Sequence, residues 1–349
     1  MAYPKKKRAP EGPDEVRALK EAIASDQLLP LYVFYGEETY LRDHYLSQMK
    51  TLLCGDLPEM NCEQFEGKGA TPAAIREAAE TFPAFGGRRL VIVRDCDILR
   101  ATGDMAAMAE ETFPNLTPET VLVFIYDTGE LKTPEKKMSQ LVHTYGKVVE
   151  FRRADLPALE RWVAGHFRAL GKECGQSEAS YLIYRCGGLM NDLLPQIQKV
   201  GHYCEGDRVT RSDIETMCTP SVDAAVFDLT DAVSARSVGK ALGVLGDLLA
   251  TGEDPNGLIT LLSNHMRQLY AARILLEQGK GEEDLMRFAK VSHPYVAKKL
   301  MSAARGVDLA WTRRACIACT ETERGLRSSA GDRDRLMERL IFTIIGVGD

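Results

Sequence analysis

Five short apolar runs recur in the first part of the chain, and stretches with the spacing of amphipathic helices separate them. The runs lie at residues 31–35, 61–65, 88–95, 120–126 and 147–151, and the second is the least apolar. Helices are predicted near residues 14–26, 39–53, 71–82, 104–113 and 134–145. Nearly continuous apolar runs are typical of strands buried on both faces. Their alternation with helices predicts a parallel, doubly wound sheet.

The strand pattern stops after residue 153, and apolar residues then recur at helical spacing. Asp155 is predicted to cap one helix, and Ser212-Asp-Ile-Glu215 to open another through a capping box. The pattern therefore predicts three domains and a tail. These are a basic flexible tail at 1–13, an α/β domain at 14–153, a small helical module at 154–218 and a helical bundle at 219–349.

Composition fits a globular chain without a strong electrostatic bias. Of 349 residues 45% are hydrophobic, and the net charge of −6 disfavours a global electrostatic grip on nucleic acid. No apolar run approaches the ~20 residues of a membrane span, and the N-terminus lacks the apolar segment of a signal peptide. Lys5–Arg8 fits a nuclear-import patch or a solvated basic tail, and we favour the tail. A cytoplasmic location is expected.

The loop after the first strand has the position of a phosphate-binding loop without its chemistry. Gly36 is followed by Glu37, Glu38 and Thr39, with no lysine before the threonine hydroxyl. A polyphosphate needs free backbone N–H groups and a cation there, and two carboxylates would repel it. We interpret these four residues as a degenerate nucleotide loop and expect neither ATP hydrolysis nor a bound cofactor.

No metal centre or catalytic constellation is predicted. Asp95 and Asp97 end a strand where Mg²⁺ could bind, but no phosphate loop supplies further ligands. The nine cysteines are scattered and fit small core residues in a reducing compartment better than a disulfide framework. Cys316-x-x-Cys319 has ligand-like spacing without a second pair nearby. The six histidines are dispersed along the chain.

Two aromatic residues surround a proline just before the third predicted strand. They belong to the run Phe82-Pro83-Ala84-Phe85, which precedes Gly86-Gly87. Such side chains either fold back into the core or insert into a partner's pocket, and the residue pattern alone favours the core. A partner-facing phenylalanine can contribute ~2 kcal/mol or more to binding.

Basic residues cluster on the predicted C-terminal helices, at Lys298-Lys299, Arg313-Arg314, Arg324 and Arg327. No aromatic stacking platform accompanies them, so we interpret them as solvated helix faces rather than a nucleic-acid site.

Several segments resemble the delta subunit family of the bacterial DNA polymerase III clamp loader. They are residues 31–41, 82–94, 187–193, 265–270, 275–279 and 293–300, which sample all three predicted domains. The resemblance extends over nearly the whole chain apart from the basic N-terminal tail. The run His293-Pro-Tyr-Val-Ala-Lys-Lys-Leu300 is the most specific of them. The resemblance implies a RecA-like (AAA+-like) α/β domain with a parallel sheet, a helical lid and an all-α collar that joins a five-membered ring.

The family resemblance also implies a function without intrinsic catalysis. A delta subunit binds the beta sliding clamp and opens it for loading onto primed DNA, while neighbouring subunits handle ATP. The implied partners are the clamp, the delta-prime and gamma/tau subunits through the collar, and primed DNA in the complex. The polymerase activity belongs to the holoenzyme, which is cytoplasmic and associates with the nucleoid.

In the family a hydrophobic pair, often Leu-Phe, enters the clamp's pocket, and Ala84-Phe85 occupies that place here. The resemblance therefore assigns clamp binding to Phe82, Pro83, Ala84 and Phe85, which reverses the preference for core packing. Ala84 buries less area than leucine, so it should lower affinity. Two alternatives remain open: an active AAA+ ATPase, and a stand-alone DNA-binding protein that uses the basic C-terminal helices.

Overall fold

The computed structural model describes residues 13–55, 58–84, 87–126, 134–291, 293–328 and 332–346. Except for Pro13, the predicted basic tail lies outside these residues, and so does Phe85. The chain divides into two compact units, Met1–Ala154 with Leu189–Asn191, and Asp155–Gly188 with Asp192–Asp349. The finer division predicted at residue 218 falls within the second unit and stays a prediction.

The first unit contains the β-sheet. Its described strands are β1 (Leu31–Tyr35), β2 (Cys62–Phe65), β3 (Arg89–Arg94), β4 (Thr120–Ile125) and β5 (Gly146–Glu150). All the pairings are parallel, in the order β2-β3-β4-β1-β5. The helices are α1 (Pro13–Ala24), α2 (Thr39–Cys54), α3 (Pro58–Asn61), α4 (Pro72–Glu80), α5 (Gly103–Thr112) and α6 (Lys136–Tyr145). The predicted parallel sheet is therefore confirmed.

The two faces of the sheet carry separate cores because successive side chains of a strand point in opposite directions. In β1, Leu31, Val33 and Tyr35 pack on one face, while Tyr32 and Phe34 pack on the other. Residues of α4, α5 and α6 cover the first face, and residues of α1 and α2 cover the second. Burial on both faces is why the strands read as continuous apolar runs.

The second unit is helical. Its helices are α7 (Leu156–Ala169), α8 (Gln176–Cys186), α9 (Met190–Tyr203, whose first two residues belong to the first unit), α10 (Arg211–Met217), α11 (Val222–Ser234), α12 (Val238–Ala250), α13 (Pro255–Glu277), α14 (Glu282–Phe288), α15 (Pro294–Arg305), α16 (Leu309–Ser328) and α17 (Arg333–Ile345). The long helix α13 packs against α11, α15 and α16. The predicted fold class, a parallel α/β domain followed by helices, is confirmed.

The predicted capping box at Ser212 is wrong by two residues. Thr210 caps α10 instead, with its hydroxyl accepting from the Asp213 amide and the Asp213 carboxylate accepting from the Thr210 amide at 2.8 Å. Thr210-x-x-Asp213 fits the reciprocal geometry of a capping box as well as Ser212-x-x-Glu215 does. The earlier start satisfies two otherwise unpaired amides.

Lys299 is not the solvated side chain that the sequence predicted. Its ammonium lies 2.6 Å from the Asp231 carboxylate and 3.7 Å from Asp228, which also pairs with Arg185 at 3.1 Å. This network joins α8, α11 and α15 within the helical unit. The pairing with Asp231 offsets the burial of Lys299 and raises its pKa above the ordinary value.

Candidate functional site

The degenerate loop (Gly36, Glu37, Glu38 and Thr39) follows β1 at the edge of the sheet where the parallel strands have their carboxyl ends. Gly36 has a φ of +125°, and a Cβ there would lie 2.3 Å from the Phe151 carbonyl oxygen. The loop therefore runs against the backbone that follows β5, and only glycine permits that approach.

Backbone amides that a phosphate would need are already bound within the protein. The Glu38 amide donates to the Phe151 carbonyl at 2.9 Å, and the Thr39 amide donates to the Glu37 carbonyl at 3.0 Å. The Glu37 carboxylate pairs with Arg153. The Thr39 hydroxyl accepts from the side-chain amide of Asn191. Each of these groups is satisfied without a ligand.

Glu38 is the most informative residue of the degenerate loop. It is fully buried, and its two carboxyl oxygens accept from the backbone amide of Met190 at 3.3 and 3.4 Å. That amide belongs to the first turn of α9, where N–H groups lack partners within the helix. The Glu38 carboxylate thus accepts from an amide at a helix N-terminus, as a bound phosphate or other anion does in many proteins. The loop holds residues 189–191 without a nucleotide.

The tip (Phe82, Pro83, Ala84 and Phe85) connects α4 to β3 at the opposite edge of the sheet. The phenyl side chain of Phe82 is 82% exposed, whereas Pro83 and Ala84 are half-buried. Phe85 lies outside the described residues. The sequence left open whether these aromatic residues fold into the core or face a partner. The Phe82 ring faces solvent and does not pack into the core.

Buried polar side chains hold Ala84 of the tip and the segments that flank it. The Asn61 amide group, which is 2% exposed, accepts from the Ala84 amide at 2.7 Å and donates to the Ala84 carbonyl at 3.3 Å. The Arg89 guanidinium donates to the carbonyls of Ala78 at 2.8 Å and Met60 at 3.3 Å and pairs with Glu63. The exposed aromatic side chain of Phe82 therefore lies between segments that buried hydrogen bonds hold in place.

The sequence did not indicate a role for Asn61. Asn61 ends α3 and directly precedes β2, and the only sequence signal was a polar residue in the second predicted strand, since a polar side chain must find hydrogen-bond partners once it is buried. We expect Asn61→Ala to lower the free energy of unfolding by ~1.5 kcal/mol, because both bonds to Ala84 are lost. Amide exchange at Ala84 should accelerate.

Asn61→Asp is the matched control for that prediction. Its carboxylate can still accept from the Ala84 amide, although it cannot donate to the carbonyl. Exchange at Ala84 in this variant should lie between wild type and Asn61→Ala. Equal exchange in all three proteins would mean that Asn61 does not hold the tip.

The Asp97 carboxylate, a candidate magnesium ligand in the sequence, is used within the protein. The Asp97 carboxylate accepts from the Tyr126 hydroxyl at 3.1 Å, so it serves the loop after β3. Within the described residues, no group of three or more His, Cys, Asp or Glu side chains could hold a metal ion. No helix in the described part of the chain has the length and apolar character that crossing a bilayer requires.

Comparisons with known proteins point to one family. Residues 32–152 match the family described as DNA polymerase III, delta subunit, and residues 223–344 match its C-terminal domain. The chain is 26% identical over 297 residues to DNA polymerase III subunit delta of Bacillus subtilis, covering 82% of this chain and 84% of that protein. It is 24% identical over 287 residues to the probable subunit delta of Aquifex aeolicus, covering 78% and 79%.

A solved structure agrees with these sequence matches. The Bacillus subtilis DNA clamp loader delta protein superposes with a TM-score of 0.52 at 22% identity, over 95% of this chain and 99% of that one. This likeness bears on the fold. It agrees with the predicted combination of a parallel-sheet domain and a helical C-terminal part.

Proposed function

Since the chain belongs to the family of DNA polymerase III clamp-loader delta subunits, we propose that it binds the beta sliding clamp through the tip and opens it for loading onto primed DNA. The observation that carries this proposal is Phe82, whose side chain is 82% exposed on a base fixed by Asn61 and Arg89. An aromatic ring held in water on a rigid support is suited to a partner's pocket, where its burial would contribute to affinity.

Clamp opening requires more than tight binding. A ligand shifts a conformational equilibrium only by the difference in its affinity for the two states. The tip would bind the closed and the open clamp equally well. The remaining surface of the α/β unit would then bind the open clamp more tightly than the closed one. ATP binding in neighbouring subunits would expose the tip, and hydrolysis on primed DNA would release it.

The chain itself is proposed to carry out no catalysis. The amides of Glu38 and Thr39 are bound internally, and Glu38 holds the first turn of α9, so the degenerate loop offers a triphosphate little. ATP hydrolysis is assigned to neighbouring gamma/tau subunits. Contact with these and with delta-prime would use the collar, where Ile317 on α16 and Phe342 on α17 are exposed apolar side chains.

Calorimetric titration of the clamp from the same organism with this chain, in the absence of nucleotide, tests the proposal. We expect binding by the wild type and a loss of about thirtyfold in Phe85→Ala, since an anchoring phenylalanine contributes ~2 kcal/mol. Phe82→Ala should also weaken binding, because its ring is already outside the core. The matched control is Phe288→Ala, which removes an equally exposed ring (79%) from the helical unit.

Three outcomes would contradict the proposal or part of it. Unchanged affinity in both tip variants would refute the anchoring role. Heat released on titration with ATP would favour an active ATPase. Strong binding of DNA by the isolated chain, falling steeply with salt, would favour a stand-alone DNA-binding protein.

A further inference from the structure

Two cysteine side chains lie next to Asn61, the residue that holds Ala84 of the tip. Cys54 is the last residue of α2 and Cys62 the first of β2, and both side chains pack into the core on the same face of the sheet. The Cys54 thiol also lies 3.4 Å from the carbonyl oxygen of Asn61, to which it donates. Asn61 precedes Cys62 in the chain and is the residue whose side chain holds Ala84. The thiol pair therefore touches the residue that supports the tip.

The two thiols are not equivalent. Cys54 is 3% exposed, whereas Cys62 is half-buried and can be reached from solvent. The interaction with Cys54, together with the positive charges of Lys50 and Arg89, lowers the pKa of Cys62 to about 7. The interaction with Cys62 and burial raise the pKa of Cys54. This division is that of an attacking thiolate and a protonated resolving thiol.

We propose that Cys54 and Cys62 form a reversible oxidation site for hydroperoxides, and that the resulting disulfide loosens the tip through Asn61. The effect on clamp binding rests on the function proposed above, whereas the oxidation and the loosening do not.

The chemistry balances with hydrogen peroxide as the oxidant. The Cys62 thiolate attacks one peroxide oxygen, the O–O bond breaks, and the departing hydroxide takes up a proton to become water. Cys62 is then a sulfenic acid. Cys54 attacks its sulfur, the S–O bond breaks, and hydroxide leaves with the Cys54 proton as a second water. The two thiols have lost two electrons and the peroxide has gained them.

The disulfide would act on Asn61 in two ways. Cys54 no longer has a proton to donate, so the Asn61 carbonyl loses that bond. The sulfur atoms must also approach to ~2.05 Å, which moves the backbone of Cys62. Asn61 is attached to that backbone, and its side-chain bonds of 2.7 and 3.3 Å to Ala84 tolerate little displacement. Oxidation is therefore expected to speed amide exchange at Ala84 and to lower clamp affinity about tenfold.

A second thiol pair in the chain serves as an internal control. Cys186 and Cys218 also interact with each other, but they are 8% and 5% exposed. We expect them to react more slowly because neither is accessible.

The experiment is to treat the full chain with graded hydrogen peroxide, map disulfides by peptide mass spectrometry, and follow amide exchange at Ala84. Wild type and Cys186→Ser should first form the Cys54–Cys62 disulfide, with faster exchange at Ala84, and dithiothreitol should restore both. Cys54→Ser should stop at sulfenic acid on Cys62 and keep the slow exchange. Clamp titration of the reduced and oxidised protein then measures the change in affinity.

Each result decides the proposal. If other cysteines oxidise first, or Cys62 fails to react, the site is refuted. If the disulfide forms while exchange at Ala84 is unchanged, the link to the tip is refuted. If reduced protein fails to bind the clamp but the exchange changes as expected, the oxidation site stands and the proposed function fails.

Discussion

The helical unit is expected to lose roughly 3 kcal/mol of stability as the pH falls from about 6.5 to about 4, because His265 must remain neutral in the folded state. Burial in the helical core lowers the pKa of His265 from 6.5 to about 4, opposed by a hydrogen bond with the Val226 backbone and assisted by the charge of Lys299. Its ring lies 3.9 Å from that of Phe227, so a charged imidazole would be poorly solvated.

The sign follows from the order of the two pKa values. The folded value lies below the unfolded one, so the unfolded chain binds the proton first as the pH falls. The stabilisation is fully present above about pH 6.5 and is lost progressively as the pH falls towards about 4. Burial also lowers the pKa of the nearby His293, which contributes in the same direction.

Urea unfolding across this pH range, monitored by tryptophan fluorescence, measures the effect on the helical unit alone. Both tryptophans, Trp162 and Trp311, belong to that unit. His265→Leu should remove most of the pH dependence, whereas His44→Leu, at an exposed position of the other unit, should leave it unchanged. The same slope in wild type and His265→Leu would show that His265 is not its source.

Glu38→Ala is expected to destabilise the α/β unit by about 3 kcal/mol. The substitution leaves the buried amide of Met190 without an acceptor and opens a cavity where a fully buried side chain stood. Amide exchange should accelerate at Met190 and at the strand amides of β1. We expect no gain of ATP binding, because the loop still lacks a lysine.

Neighbouring substitutions separate the role of the carboxyl group from a general effect of the loop. Glu38→Gln keeps the shape and one acceptor oxygen, so it should lose less stability than Glu38→Ala. Glu37→Ala removes an adjacent glutamate whose side chain is 46% exposed, and breaking its pair with Arg153 should cost less than ~1 kcal/mol. If Glu37→Ala and Glu38→Ala lose equal stability, the contact with Met190 is not what matters.

The sequence by itself determined the order and type of the elements. The central strands β1, β3 and β4 are buried on both faces, so their apolar runs were visible without knowledge of their neighbours. All five strands, β1 to β5, lie where the runs predicted them. The loss of the phosphate-binding chemistry was equally local, because glutamates stand between Gly36 and Thr39 where a phosphate-binding loop has its lysine. Local signals of this kind survive in a single sequence.

Only the tertiary structure decided the roles of single polar residues. Nothing near Asn61 in the chain indicates a contact with Ala84, and nothing near Glu38 indicates Met190, because each partner lies far along the chain. The same holds for Lys299, which reads as a surface lysine until folding brings Asp231 to it. A buried polar side chain must find a partner wherever the fold provides one, and that choice belongs to the packing of distant segments.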